Sequence, residues 1–238
     1  MFKVFFMKKR VSLLCAGALM ASLTQSAYTM NLTDDVYGRV NVSLGYNIQK
    51  YTGDDFKDLI NAWKDELGTK TNKYNHALTI GVGYNFYLKV NDRFNPFVGF
   101  EALGRLPLAG NKVVNANRTD AYGDPDILLA KFNEYFIFNG KFGGKVNIYK
   151  DIAVAPYAMI GFNVAQYKLK DENAELFNKT KVGISTGAGV ETLFKVMDQE
   201  FSAGIEYRFT MNKFTIEYPA RERFYTHNLM VKFGYHFL

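Results

Sequence analysis

A strict two-residue alternation at the end of the chain constrains the fold more than any other feature. In residues 227–238, large apolar side chains occupy every second position, and small, polar or charged side chains lie between them. A two-residue period is that of a β-strand with one apolar face. The segment therefore predicts a strand between an apolar and a polar environment. Its apolar positions are Leu229, Val231, Phe233, Tyr235 and Phe237.

The same alternation recurs in seven earlier segments. The chain contains 21 Phe and 16 Tyr but only 5 Pro, a composition typical of strands rather than helices. Because eight segments share one period, we expect a single all-β domain with eight strands. The seven earlier segments are residues 36–48, 78–88, 97–105, 136–148, 154–164, 182–191 and 201–210.

The connections between these segments alternate in length. Short and long connections follow one another along the chain, so all the short ones are expected at one end of the strands. This layout is typical of an outer-membrane β-barrel with short periplasmic turns and long surface loops. The short connections are residues 91–93, 149–151 and 195–199, and the long ones are residues 49–75, 107–131, 168–179 and 211–226.

Two kinds of eight-stranded barrel fit this alternation. In a soluble, lipocalin-like barrel the polar positions face water, whereas in a membrane barrel they face a narrow lumen. Here the polar positions carry many Gly, Ser and Asn residues and isolated charges, while the other positions are bulky and apolar. We therefore predict an eight-stranded antiparallel transmembrane β-barrel, with a soluble exported barrel as the alternative.

The N-terminal segment indicates export. Basic residues precede an apolar stretch at residues 11–23 and a small, polar exit at residues 24–27, as in a secretory signal peptide. The apolar stretch is shorter than the ~20 residues of a transmembrane helix. We predict a signal peptide at residues 1–26 and a barrel domain at residues 27–238. A cut before Ala27 is preferred to one after it, because Gln25 is large.

Cysteine and charge then restrict the chemistry. The only cysteine, Cys15, lies in the predicted signal peptide, so the exported chain would have no disulfide and no cysteine-based metal site. The net charge is +6, but removing the four basic residues of the leader from the 29 in the chain leaves 25, against 23 acidic residues. This small excess does not favour a nucleic-acid partner.

These segments resemble the opacity/OmpA-like family of eight-stranded outer-membrane β-barrels. The resemblance rests on the Pro-aromatic starts at residues 96–100 and 156–157, on Gly161-Phe162 and on the ending HNLMVKFGYHF, which is also similar to small rickettsial surface adhesins. It implies a place in the bacterial outer membrane among lipids and lipopolysaccharide. It also implies insertion by an assembly machinery that reads Phe233, Tyr235 and Phe237, although Leu238 departs from a terminal aromatic residue.

Charged residues on the polar positions predict a network inside the barrel. Glu101 is expected near Lys141, and Glu206 near Lys232, because buried charges need partners. Two interpretations remain: ion pairs that close the lumen, or a selective pathway for ions or small solutes. The predicted lumen charges are Arg39, Glu101, Arg105, Lys141, Lys145, Glu191, Glu206, Arg208 and Lys232.

The sequence gives little support for a catalytic, metal or cofactor site. His76 and His227 share the apolar positions, and only His236 is expected to point inward, so no two histidines should converge on a serine. The aspartates of residues 120–126 match no calcium loop and favour a solvated turn. We predict no enzyme, no metal and no cofactor.

Two surface loops carry candidate contacts. Residues 54–68 predict a short amphipathic helix in the first loop, whose apolar stripe either packs on the barrel rim or docks a partner or lipopolysaccharide. The stripe is Phe56, Leu59, Ile60, Trp63 and Leu67. In the fourth loop, Arg221 and Arg223 could meet acidic glycans or lipid phosphates.

The leading functional prediction is an integral surface protein with a structural and interaction role. The resemblance makes adhesion to host-cell surface proteins through the loops its specific form. The alternative is a narrow, porin-like channel for small solutes.

Overall fold

The structure is a computed structural model that describes residues 31–33, 35–52, 70–71, 74–108, 112–119, 125–170, 175–215 and 221–237. The predicted signal peptide and the predicted helix at residues 54–68 lie outside these ranges. Within the described ranges, no helix has the length and apolar character needed to cross a membrane. The strands are β1 (Asn31–Thr33), β2 (Val36–Thr52), β3 (Lys70–Thr71), β4 (Tyr74–Leu88), β5 (Phe94–Pro107), β6 (Lys112–Thr119), β7 (Pro125–Tyr149), β8 (Ile152–Lys170), β9 (Glu175–Val196), β10 (Gln199–Thr215) and β11 (Arg221–Phe237).

Eight of the strands close into an antiparallel barrel. Around the barrel the order is β2, β4, β5, β7, β8, β9, β10 and β11, and each strand pairs with the next. Closure comes from β11 against β2, where Tyr225 pairs with Thr52 and Phe237 pairs with Val40. The three short strands add to this ring: β1 pairs with β2, and β3 pairs with β6, which pairs with β7. The predicted all-β, eight-stranded barrel is confirmed.

The two faces of each barrel strand follow the alternation of the sequence. In β2, Asn41, Ser43 and Asn47 are buried, whereas Leu44 between them is 61% exposed. Large apolar side chains stay exposed around the whole outer surface, as at Val182 (68%) and Phe233 (62%). Such a surface suits lipid, because a barrel in a bilayer satisfies all its backbone hydrogen bonds between strands.

The strands are longer than the alternation predicts at one end. We expected a connection at residues 107–131, but β7 begins at Pro125, and β8 runs to Lys170 where a loop was expected from residue 168. Likewise, β10 ends at Thr215 and β11 begins at Arg221, inside the expected loop 211–226. The backbone ladder continues into polar sequence there, because strands above a bilayer meet water on both faces and need no apolar period.

A β-bulge changes the inward positions of β7. The register against β8 shifts between Glu134 and Phe136. As a result Glu134 and Ile137 both point into the barrel although they are three residues apart. A bulge places two residues of one strand opposite one residue of its partner, which reverses the alternation beyond it.

The turn between β9 and β10 is tight. Met197 and Asp198 both have positive φ, of 49° and 63°. Two positive φ angles in a two-residue loop give the turn whose twist matches the twist of the flanking strands. This turn lies with the other short connections, Lys150–Asp151 and residues 89–93, at the end predicted to face the periplasm.

Candidate functional site

The lumen of the barrel contains a network of ionic side chains. The structure places all nine predicted lumen charges on the inner face and adds Glu134 and Glu200. In the described residues this network has six basic and five acidic members, so the charge nearly balances. From the end predicted to face the periplasm outward, they form three clusters. These are the periplasmic cluster (Arg39, Lys145, Glu200), the central cluster (Glu101, Lys141, Glu191, Glu206, Arg208, Lys232) and the outer cluster (Arg105, Glu134).

Glu101 is shared by two lysines in the central cluster. Its Oε2 lies 3.0 Å from Lys141 Nζ, and its Oε1 accepts a hydrogen bond of 2.9 Å from Lys232 Nζ. Lys232 Nζ also lies 2.6 Å from Glu191 Oε1 and 3.8 Å from Glu206 Oε2. Lys232 therefore lies closer to Glu101 and Glu191 than to the predicted partner Glu206.

Tyr157 and Arg208 complete this cluster. The Tyr157 hydroxyl donates to Glu206 Oε2 at 2.9 Å, and Lys141 Nζ lies 4.5 Å from the centre of the Tyr157 ring. Arg208 Nη2 is paired with Glu206 Oε1. Because a buried charge costs several kcal/mol when unpaired, each of these side chains depends on its neighbours.

The outer cluster combines one ion pair with many amide and hydroxyl groups. Arg105 Nη1 lies 2.7 Å from Glu134 Oε2 and donates to Gln49 Oε1 at 2.8 Å. Glu134 Oε1 accepts hydrogen bonds from Thr210 (2.7 Å) and Asn163 (3.0 Å). This carboxylate therefore links β5, β7, β8 and β10 across the lumen.

An apolar layer separates the outer and central clusters. Leu103, Ile137 and Met230 form a cluster with exposures of 0%, 0% and 1%. Leu103 lies between Glu101 and Arg105 on β5, and Met230 precedes Lys232 on the inner face of β11. Within the described lumen, these three apolar side chains on β5, β7 and β11 thus lie between charged groups, and Arg208 on β10 extends past the level of Met230.

The periplasmic cluster shares one carboxylate between two cations. Glu200 Oε1 is paired with Arg39 Nη1, and Glu200 Oε2 lies 3.0 Å from Lys145 Nζ. The rings of Tyr37 and Tyr87 stack beside it, with centres 5.0 Å apart. Arg39 lies 5.2 Å from the centre of the Tyr37 ring, within the range of a cation–π contact.

The two added acids were missed for different reasons. Glu134 lies beyond the β-bulge of β7, so counting back from Phe136 and Phe138 places it on the lipid face. Glu200 falls between the connection predicted at residues 195–199 and the segment predicted at residues 201–210, but it lies on the same face of β10 as Ser202 and Glu206. Extending that segment by one residue would have found it.

The histidines occupy the predicted faces. On the outer surface, His76 Nδ1 is hydrogen-bonded to the Tyr46 hydroxyl at 2.8 Å, and His227 Nδ1 to the Tyr207 hydroxyl at 2.6 Å. His236 points inward, and its Nε2 lies 3.0 Å from Ser202 Oγ. This histidine and serine are 2% and 3% exposed.

The remaining predicted site residues lie partly beyond the described chain. The stripe of the first loop lies outside it, and Arg221 and Arg223 begin β11 with side chains that are also outside it. Of the terminal aromatic residues, Phe233 faces outward, and the Tyr235 ring packs against Phe201 with centres 5.3 Å apart. Within the described ranges, no group of three acidic, histidine or cysteine residues could hold a metal ion.

A closed antiparallel barrel with an apolar outer face and a polar, ion-paired lumen defines the class of transmembrane β-barrels. The family model of the outer membrane protein beta-barrel domain matches residues 12–237. The chain belongs to this family, and it is a protein of the bacterial outer membrane. The resemblance to eight-stranded barrels of the OmpA-like type is confirmed, and the alternative of a soluble barrel is wrong.

Several solved structures are similar to the chain. The attachment invasion locus protein Ail of Yersinia pestis is 14% identical, with 84% of this chain and 99% of that chain covered and a TM-score of 0.43. The outer membrane protein OprG of Pseudomonas aeruginosa is 13% identical, with 84% and 96% covered and a TM-score of 0.39. Neisserial surface protein A is 8% identical, with 83% and 95% covered and a TM-score of 0.37. No curated protein matches the chain at a significant level.

Proposed function

We propose that this protein is a closed outer-membrane barrel that displays its surface loops for interaction, and that adhesion to host-cell surface proteins is the form of that interaction. One observation carries the proposal: the lumen is filled by ion-paired clusters and by the apolar layer of Leu103, Ile137 and Met230. A barrel closed in this way is a rigid support. Its useful surfaces are then its two ends and its lipid face.

The asymmetry of the two ends supports display on the cell surface. The three connections at the end predicted to face the periplasm span residues 89–93, 150–151 and 197–198. At the other end two connections are long, residues 53–73 and 108–124, with β3 and β6 among them, and the other two, residues 171–174 and 216–220, join extended strands. Strands β7 to β11 continue beyond their alternating segments at that outer end. Binding residues in proteins often lie on loops held by such a rigid scaffold.

The competing function is a narrow channel. The near-balanced inward charges and an open periplasmic mouth favour it, because ions would find polar groups along part of the path. The apolar layer argues against it, since an eight-stranded lumen is only wide enough for its own side chains and hydrophobic constrictions exclude water. We also infer that the protein has no catalytic activity and that lipids, lipopolysaccharide and the assembly machinery are its other partners.

Conductance in planar bilayers separates the two functions. We expect the purified protein to carry no steady current. Ile137→Ala with Met230→Ala should admit water and give measurable conductance, because both side chains fill the apolar layer. Leu229→Ala, which shortens a neighbouring side chain on the lipid face, serves as the matched control. A steady current through the wild-type protein would instead support the channel.

Attachment assays test the interaction role directly. The protein would be expressed on the surface of a non-adherent bacterium, and each of the four connections at the outer end would be replaced singly by a Gly-Ser segment of equal length. We expect the loss of attachment to host cells for at least one replacement, with unchanged barrel migration on unboiled gels. Replacing the periplasmic turn residues Lys150–Asp151 is the matched control. Unchanged attachment after every loop replacement would contradict the proposal.

A further inference from the structure

The periplasmic mouth of the barrel contains a cavity that the display of surface loops does not use. This cavity, the periplasmic vestibule, has a volume of about 910 Å³ and is bounded by the periplasmic cluster and by the turns at residues 89–93 and 150–151. A volume of this size is typical of binding sites for small molecules. It lies on the opposite side of the protein from the surface loops.

The lining of the vestibule has more basic than acidic side chains. Six basic side chains line it against three acidic ones: Arg39, Lys89, Arg93, Lys145, Lys150 and Lys195 against Asp92, Asp151 and Glu200. Within the described residues, the four cations at its rim (Lys89, Arg93, Lys150 and Lys195) form no ion pair. A concave surface with an excess of one charge concentrates ions of the other sign. The vestibule should therefore attract anions with more than one charge.

The rim is held in place by hydrogen bonds. The Asn91 side chain accepts from the backbone N–H groups of Arg93 (2.9 Å) and Phe94 (2.7 Å). Asn147 Nδ2 donates to the carbonyl of Asp92 at 2.7 Å, and Lys195 N–H donates to the carbonyl of Asp151 at 3.0 Å. A binding surface that is already ordered loses little conformational entropy when a ligand arrives.

The floor of the vestibule indicates which anion fits. There the carboxylate of Glu200 binds one cation through each oxygen, Arg39 through Oε1 and Lys145 through Oε2. Apolar side chains, including Ile152 and Leu193, line the same cavity. They can cover a carbon skeleton, which inorganic phosphate lacks, so the lining favours organic carboxylates over phosphate.

We propose that the periplasmic vestibule binds small, carboxylate-rich anions on the cations of its rim. The ligand chemistry is two or more carboxylates on a short carbon skeleton. It can come from a free di- or tricarboxylate or from the acidic end of a short peptide. This site is independent of the surface loops.

Calorimetric titration of the purified, folded protein in zwitterionic micelles at low salt tests the proposal. The probes are citrate, a Glu-Glu dipeptide and inorganic phosphate. We expect citrate or the dipeptide to bind and phosphate to bind more weakly, and the tighter of the two carboxylate probes identifies the source. Raising the salt to about 0.3 M should weaken binding, because exposed charges are then screened over shorter distances.

Charge-removing variants locate the site. Lys150→Gln and Lys195→Gln should each weaken binding about 1.5- to fivefold, the range for an exposed charge pair. Lys50→Gln removes an equally exposed charge at the opposite end of the barrel and should leave binding unchanged. Amide NMR shifts on citrate addition should be confined to residues 89–93, 150–151 and 195–198. Because these lysines form no ion pair among the described residues, their variants should fold, and unboiled gels check this.

Three results would overturn the proposal. They are the absence of citrate and dipeptide binding at low salt, equal binding after both rim lysines are replaced, and phosphate binding as tight as citrate binding. The first two would exclude the site, and the third would exclude carboxylate recognition. None of them would alter the conclusion on the surface loops, which is tested by attachment.

Discussion

The inner and outer faces of the barrel use alternate residues of the same strands, but different interactions hold them. On the outer face, side chains such as Leu44 and Val182 need only an apolar environment, and many aliphatic residues would satisfy it. On the inner face, Glu101 needs Lys141 and Lys232 at fixed positions, because its charge is buried. The stability of the outer face therefore depends on apolar character in general, whereas that of the inner face depends on particular ion-pair partners.

This difference teaches where the protein is sensitive to change. A substitution on the outer face should lower the free energy of unfolding in proportion to the polarity that it introduces into lipid. A substitution on the inner face should lower it because charged partners are left unpaired or are displaced. The variants below test the two faces in decreasing order of the expected effect.

The largest effect is expected for Glu101→Gln in the central cluster. Glutamine keeps the size of the side chain but removes the charge that Lys141 and Lys232 share. Removing one partner of a buried ion pair costs about 3–5 kcal/mol. Urea unfolding in lipid vesicles measures this cost, with the folded fraction read from migration on unboiled gels. Lys50→Gln, at an exposed position, is the control, and an equal effect of both would refute the role of the network.

The next effect is expected for a charge on the outer face. Ile205 is 53% exposed and pairs with Val190 and Val231 in the middle of the barrel. Ile205→Arg should destabilise the folded barrel by about 2–4 kcal/mol, the cost of arginine at the midplane of a bilayer. Ile205→Leu should be nearly neutral. If the same unfolding assay finds arginine tolerated there, this part of the outer face does not lie within the hydrocarbon.

The contrast between the faces also explains what could be predicted from sequence. Alternation is local, so it identified eight strands and the inward side of each, including Arg39 and Lys232. The ends of β7 to β11 could not be predicted, because polar extensions above the bilayer carry no apolar period. Glu134 was hidden by a bulge, which depends on pairing with β8 and leaves no local signal.

Partners inside the lumen were predicted only in part. Lys141 lies 3.0 Å from Glu101 and Lys232 lies 3.8 Å from Glu206, as expected. The shorter contacts of Lys232 with Glu191 and Glu101 were not predicted. β11 does not pair with β5 or β9, so these contacts cross the lumen rather than follow the sheet. Such contacts depend on the stagger of all eight strands, which one sequence does not specify.

A smaller effect is expected from adding a methyl group to a glycine inside the barrel. A Cβ at Gly161, on the inner face of β8, would lie 2.7 Å from Asn139 Cα, and it would also contact the Phe138 carbonyl. Gly161→Ala should cost about 1–3 kcal/mol, as overpacking does. At Gly104 on the outer face, the nearest atom would be 3.9 Å away. Gly104→Ala should be nearly neutral, and equal unfolding midpoints for the two variants would contradict this difference between the faces.

The smallest effect concerns a row of stacked aromatic rings on the outer face. The row crosses four strands from Tyr84 through Phe100 and Phe138 to Phe162, with the last two ring centres 5.5 Å apart. Phe162→Leu keeps an apolar side chain in lipid but removes one ring contact, which is worth about 0.5–1.5 kcal/mol. Phe142→Leu is the matched control, because Phe142 is exposed on the same face and stacks with no ring among the described residues.

We expect Phe162→Leu to lower the free energy of unfolding in vesicles more than Phe142→Leu does, with the difference equal to the ring contact. Equal losses would mean that the rings contribute only as apolar surface, as any outer-face residue does. A larger loss for Phe162→Leu would mean that side chains on the outer face also depend on particular neighbours, as those in the lumen do. The comparison of these two phenylalanines therefore measures how far the faces differ, because both variants make the same chemical change in the same lipid.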